Sequence, residues 1–116
     1  MGKLLGLTKS EIKTVKFIIS FLRTQKTWTT GETILHILNT TDIRKRLDID
    51  YVIYPAHIRN FINIIRSESL AAVVSSKRGY KISNRELDIK KQIASMQNRV
   101  DAINDAIDGL KRILNK

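Results

Sequence analysis

The chain has 116 residues, 42% of them apolar, with 21 Lys/Arg against 11 Asp/Glu and a net charge of +10. The apolar fraction is enough for a packed core and excludes a wholly disordered chain, while the absence of cysteine excludes disulfides, thiolate nucleophiles and Cys-ligated zinc. The basic excess favours polyanionic partners and is uneven: residues 1–86 carry 15 Lys/Arg and 7 Asp/Glu, an excess of +8, whereas residues 87–116 carry 6 and 4, an excess of +2.

The N-terminal stretch MGKLLGLTKSE has an apolar patch too short for a secretory leader. No run of about 18 apolar residues follows, so no membrane span is expected, and the chain reads as soluble and cytoplasmic. Thr8-Lys9-Ser10-Glu11 fits a capping box that opens a first helix. Ile12, Val15, Ile18, Ile19 and Leu22 form its apolar stripe. Phe17 and Phe21 lie off that stripe as a second contact surface, and Lys9, Lys13, Lys16 and Arg23 occupy a third sector. Lys26–Thr29 reads as a short strand, and Thr29 with Glu32 as a second capping box. Ile34, Leu35, Ile37 and Leu38 make a short apolar helix ending near Asn39, in which His36 is expected at the core or its boundary. Asp42–Leu47 has room for another helical turn, and Ile49–Tyr54 fits no regular element.

Pro55, the only proline, suits the first turn of a helix. Ile58, Phe61, Ile62 and Ile65 follow at i, i+3, i+4 and i+7, a buried stripe. At about 100° per residue the opposite side carries Ala56, Asn60, Asn63 and Ser67, with Arg59 on one edge and His57 and Ile64 on the other. Leu70–Val74 and Tyr80–Ile82 read as antiparallel strands joined by a loop of four or five residues that includes Gly79. Asn84 is a candidate N-cap for a helix from Arg85 to about Leu114. Its apolar residues are Ile89, Ile93, Met96, Val100, Ile103, Ile107, Leu110 and Leu114, spaced 4, 3, 4, 3, 4, 3 and 4. That is an unbroken heptad pattern, with Ile93, Val100, Ile107 and Leu114 at a and the rest at d. A helix of about 45 Å offers more seam than a domain of this size covers, so a partner helix, a second copy of the chain, is expected along it.

The order helix, short strand, helix, helix, hairpin resembles the winged helix-turn-helix family over residues 8–83. YPAHIRNFINIIRSE looks like its recognition helix and LAAVVSSKRGYKIS like its strand–wing–strand. The second phrase, followed at once by a coiled-coil helix, is also similar to small winged-helix proteins encoded by bacteriophages and prophages. Segment 39–54, with DIRKRLDID, is longer and more charged than the family's usual turn between its second and third helices. The resemblance implies a mainly α fold of the α+β kind: a winged helix-turn-helix domain over 8–83 and a dimerising C-terminal coiled-coil helix over 84–116. It implies sequence-specific binding of double-stranded DNA by a homodimer, as a small transcriptional regulator. Ala56, His57, Arg59, Asn60, Asn63 and Ser67 would then face the major groove, and Ser75, Ser76, Lys77, Arg78 and Lys81 the backbone or minor groove.

An enzyme is not expected. His36 and His57 are 21 residues apart and share no metal spacing with carboxylates, and no phosphate loop, nucleophile elbow or paired-carboxylate signature occurs. Asp42, Asp48 and Asp50 lack the glycine and the terminal glutamate of a calcium loop. No metal and no cofactor is therefore expected. The competing reading is a protein-interaction module, such as a phage scaffold, replication accessory or host-factor-binding protein, with Phe17 and Phe21 as partner contacts.

Overall fold

The computed structural model describes residues 6–116; the start of the N-terminal apolar patch, residues 1–5, lies outside them. The elements are α1 (Lys9–Thr24), α2 (Gly31–Leu38), α3 (Thr41–Arg46), α4 (Pro55–Ser67), β1 (Val73–Ser76), β2 (Gly79–Ile82) and α5 (Glu86–Leu114). The fold is mainly helical with one small antiparallel sheet. The chain divides into two compact units, residues 1–83 and 84–116.

In the first unit, α1 opens on the capping box. The Thr8 amide donates to Glu11 Oε1 at 3.0 Å, and the Glu11 amide donates to Thr8 Oγ1 at 3.1 Å. Val15, Ile18 and Leu22 turn inward and meet Ile34 and Leu38 of α2, Ile58, Phe61, Ile62 and Ile65 of α4, and Val73 of β1. Burying each such side chain contributes about 1.5–3 kcal/mol, so these few residues dominate the head's stability. Phe17 and Phe21, expected as a second contact surface, stack with ring centroids 6.2 Å apart and pack half-buried against this core.

Three local expectations change around α2. The Lys26–Thr29 strand contracts to a single bridge in which the Thr29 amide donates to Tyr80 O and the Tyr80 amide to Thr29 O, both at 2.8 Å. Thr29 is thereby buried as strand, so the cap passes one residue on: Thr30 Oγ1 accepts from the Thr33 amide at 3.1 Å. His36 is exposed, because Ile34 and Leu38, four apart, take the inward face of this eight-residue helix and leave the position between them pointing out.

Segment 39–54 is organised by side chains rather than by a ladder. Asn39 Nδ2 donates to Ile53 O at 3.0 Å, and Asn39 Oδ1 accepts from the Ile53 amide at 3.2 Å, so one side chain acts as a strand partner. Arg44 Nη1 donates to Asn39 Oδ1 at 3.1 Å and to Tyr51 O at 2.6 Å. α3 ends with Asp48 at φ 56°, where the Ile49 amide donates to Arg44 O at 2.9 Å in a Schellman-type closure. Lys13 Nζ meets Asp48 Oδ2 at 2.6 Å, and Ser10 Oγ donates to Leu47 O at 2.8 Å, fixing the end of α3 to the start of α1.

α4 closes in the same way. Ser69 has φ 55°, and the Leu70 amide donates to Ile65 O at 3.0 Å. A residue with a Cβ is disfavoured there by about 1–2 kcal/mol, only part of which is offset by the extra chain entropy a glycine loses. Ser69→Gly should therefore raise stability by about 0.5–1 kcal/mol in urea unfolding followed by Trp28 fluorescence; a lower midpoint would assign the serine side chain a role of its own.

That closure draws Leu70 out of the sheet, so β1 starts at Val73 rather than Leu70. The register is Val73↔Ile82, Val74↔Lys81, Ser75↔Tyr80 and Ser76↔Gly79. Ser75 and Ser76 belong to the strand, and the loop is the two-residue turn Lys77-Arg78 instead of four or five residues. In the second unit α5 begins at Glu86 with Arg85, not Asn84, at the N-cap, where no side chain caps it. No residue of α5 is buried.

Candidate nucleic-acid interface

The candidate site is built on α4. Pro55 occupies its first turn, and the cap is supplied from within: the Tyr54 amide donates to His57 Nδ1 at 2.8 Å. The His57 ring lies 5.2 Å from Tyr51 and 5.9 Å from Tyr54 between centroids, the latter nearly parallel. Burial raises the Tyr51 pKa, helped by the Glu11 and Asp50 carboxylates and opposed by Arg44, so this phenol stays neutral. His57 thus shapes the start of the helix rather than standing clear of it.

Along α4 the inner face buries Ile58, Phe61, Ile62 and Ile65 as the spacing predicts. Ile64, placed on the edge of the outer face from sequence, is also buried. The stripe is wider than i, i+3, i+4, i+7, which confines the open face to Ala56, Arg59, Asn60, Asn63 and Ser67, all exposed. Ser67 Oγ donates back to Ile64 O at 3.4 Å, a weak contact that leaves it at the surface.

Arg66, beyond that face, ties the helix to the hairpin. Its Nε donates to Val73 O at 2.8 Å and its Nη2 to Ser75 Oγ at 3.2 Å. α4 and β1 are therefore held as one piece by a charge-assisted fork, a linkage that the position of Arg66 in the sequence did not reveal. At the tip Lys77 and Arg78 are exposed, and the Arg78 amide donates to Ser76 Oγ at 3.0 Å. Lys81 points elsewhere: its Nζ sits 4.5 Å from the Trp28 ring centroid, a cation–π contact across the base of the hairpin.

Of the eleven residues marked from sequence, Ala56, Arg59, Asn60, Asn63, Ser67, Ser76, Lys77 and Arg78 are exposed. His57, Ser75 and Lys81 are half-buried and engaged within the chain. Sequence reading missed Lys45 and Arg46, exposed on the last turn of α3. Their signal was the basic run RKR in a segment read for its length, its charge and an extra helical turn. No carboxylate lies within ion-pair distance of Lys45, Arg46, Arg59, Lys77 or Arg78 among the described residues.

Among the described residues no group of three or more His, Cys, Asp and Glu is placed to hold a metal ion, and no helix is long and apolar enough to cross a membrane. Comparison with protein-family models, curated proteins and solved structures gave no match.

Proposed function

We propose that residues 8–83 form a winged helix-turn-helix head that binds double-stranded DNA, and that residues 84–116 join two such heads into a homodimer acting as a small regulator of transcription. In this reading α1, the Thr29 bridge strand, α2, α4 and the β1–β2 hairpin supply the parts in order, with α3 as an insertion. The observation that carries the proposal is the open face of α4: Asn60, Asn63 and Arg59 stand exposed with no acid among them, joined by Arg66 to a hairpin tipped with Lys77 and Arg78. An amide can accept from N6 and donate to N7 of adenine, so Asn60 and Asn63 read base edges, and Arg59 takes guanine or phosphate. Lys77 and Arg78 hold phosphates, which position the head without choosing a sequence. Ser75, Lys81 and His57 act from behind, setting the hairpin and the start of α4.

Fluorescence anisotropy on duplex DNA tests this. With about six phosphates contacted per dimer, affinity should fall roughly 10³-fold between 50 and 200 mM salt. Absent binding at low salt, or a flat salt response, rejects the DNA reading. Asn63→Ala should relax discrimination by about 1–3 kcal/mol at one base pair. Lys77→Ala with Arg78→Ala should instead weaken all sequences alike. Equal loss of discrimination from both changes would reject the division of roles.

A protein-directed role is the second reading. Its support is α5, where Ile93, Ile103, Leu110 and Leu114 are 61%, 59%, 67% and 83% exposed, a seam suited to an assembly partner.

A further inference from the structure

The α5 seam lies between flanks of one sign. In the heptad register set by Ile93 at a and Ile89 at d, the flanking e and g positions from residue 90 onward hold three cations, Lys90, Arg99 and Lys111. The others are amides or apolar residues, and none is acidic. The acids of the same stretch, Asp101, Asp105 and Asp108, fall at b, f and b, away from the seam. A second copy does not neutralise these flanks in either orientation. In a parallel pair, where g meets e of the next heptad, Gln92 faces Gln97, Arg99 faces Asn104 and Ala106 faces Lys111. In an antiparallel pair e meets e and g meets g, and neither set contains an acid. Glu86, one turn before Lys90, pairs with it at 2.7 Å, but both side chains are largely exposed, 79% and 69%, and such a pair exchanges readily.

We infer that the α5 seam takes, in preference to a second copy, a heptad helix from a different protein that carries Asp or Glu at its e and g positions. The inference rests on α5 being a pairing helix. The apolar seam supplies attraction to either partner; the flanks choose between them, as e and g charges do in coiled coils. In a parallel pair, an acidic partner forms one ion pair with each of Lys90, Arg99 and Lys111, where a second copy forms none. Three exposed pairs favour the acidic partner by about tenfold at low salt. Because one acidic helix replaces one copy, its capture separates the two heads and abolishes joint binding to a two-half-site duplex.

The test mixes the full-length chain with three designed 30-residue peptides matched to residues 85–114 and sharing the a and d residues of α5, with Glu, Gln or Lys at every e and g position, including the g position that faces Lys90. Native mass spectrometry and sedimentation read the species. The expected result is a one-to-one complex with the Glu peptide at the expense of the homodimer, preferred about tenfold over the Gln peptide in 50 mM salt and falling to parity near 1 M. The triple change Lys90→Glu, Arg99→Glu and Lys111→Glu alters only exposed side chains and should transfer the preference to the Lys peptide. A homodimer that persists against the Glu peptide, or equal capture of Glu and Gln peptides, overturns the inference while leaving α5 a pairing helix. A chain that is monomeric alone and takes none of the three peptides overturns the pairing reading itself.

Discussion

Ile103→Asp with Ile107→Asp should convert a dimeric chain to a monomer in sedimentation equilibrium while leaving the head folded. In the isolated chain these side chains are 59% and 42% exposed, in a 29-residue helix that buries none of its residues. Pairing covers both in each copy, four side chains per dimer. With about half of each side chain left to cover, at about half of the 1.5–3 kcal/mol of full burial apiece, they contribute about 3–6 kcal/mol, roughly 10²–10⁴-fold in dissociation constant. A carboxylate in that seam adds a desolvation cost to the lost contact. The head's core is made of α1, α2, α4, β1 and the segment between α3 and α4, so Trp28 fluorescence should be unchanged. DNA binding supplies a second readout. A duplex with one half-site should be bound as well as before, whereas a duplex with two should lose about 10²–10⁴-fold, because the second contact is no longer intramolecular. A variant that remains dimeric locates the interface elsewhere, and a monomeric unmodified chain removes the dimer from the proposal.

What the sequence shows well is whatever repeats along one element. The Thr8–Glu11 box, the Ile58–Phe61–Ile62–Ile65 stripe and the heptads of α5 each need only one helix, since the side chains that must coincide lie three or four residues apart. What it hides are contacts between elements. Asn39 and Ile53 are 14 residues apart, and nothing in either residue's type announces that an amide will stand in for a strand. Arg66 forks to Val73 O and Ser75 Oγ, seven and nine residues on, a link that no spacing within its own helix announces. Lys81 belongs by type to a phosphate clamp, but the alternation of β2 and the nearness of Trp28 put its charge over an indole. The cap of α2 moved from Thr29 to Thr30 because β2 claims the Thr29 backbone, a competition that local capping rules do not contain. The candidate site was therefore legible as a face and a fingertip, while the parts that hold them together were not.

Gly79 is where those hidden contacts concentrate, and Gly79→Ala should cost the head about 3–5 kcal/mol. From sequence the residue served a turn. In the fold it is the first residue of β2, with φ 118°, and its Cα lies against the neighbouring backbone. A Cβ there would lie 2.6 Å from the Thr29 carbonyl carbon and 2.8 Å from Thr30 Cα, closer still to the Thr29 oxygen. These are backbone atoms, unable to swing aside as a side chain would. Two costs add. The positive φ is worth about 1–3 kcal/mol against any residue with a side chain. Moving β2 away also breaks the two 2.8 Å bonds between Thr29 and Tyr80, at about 1 kcal/mol each. The sum is a large share of the 5–15 kcal/mol that holds a domain of ordinary stability. Urea unfolding followed by Trp28 fluorescence measures it. Arg78→Ala, one residue earlier, is the control: its side chain is exposed in the same turn. It should change stability by less than about 0.5 kcal/mol while weakening duplex binding. If Gly79→Ala unfolds within about 1 kcal/mol of the unmodified chain, the close approach of β2 to Thr29 does not hold the hairpin, and the β1–β2 pairing, the packing of Val73, Tyr80 and Ile82 and the Arg66 fork do.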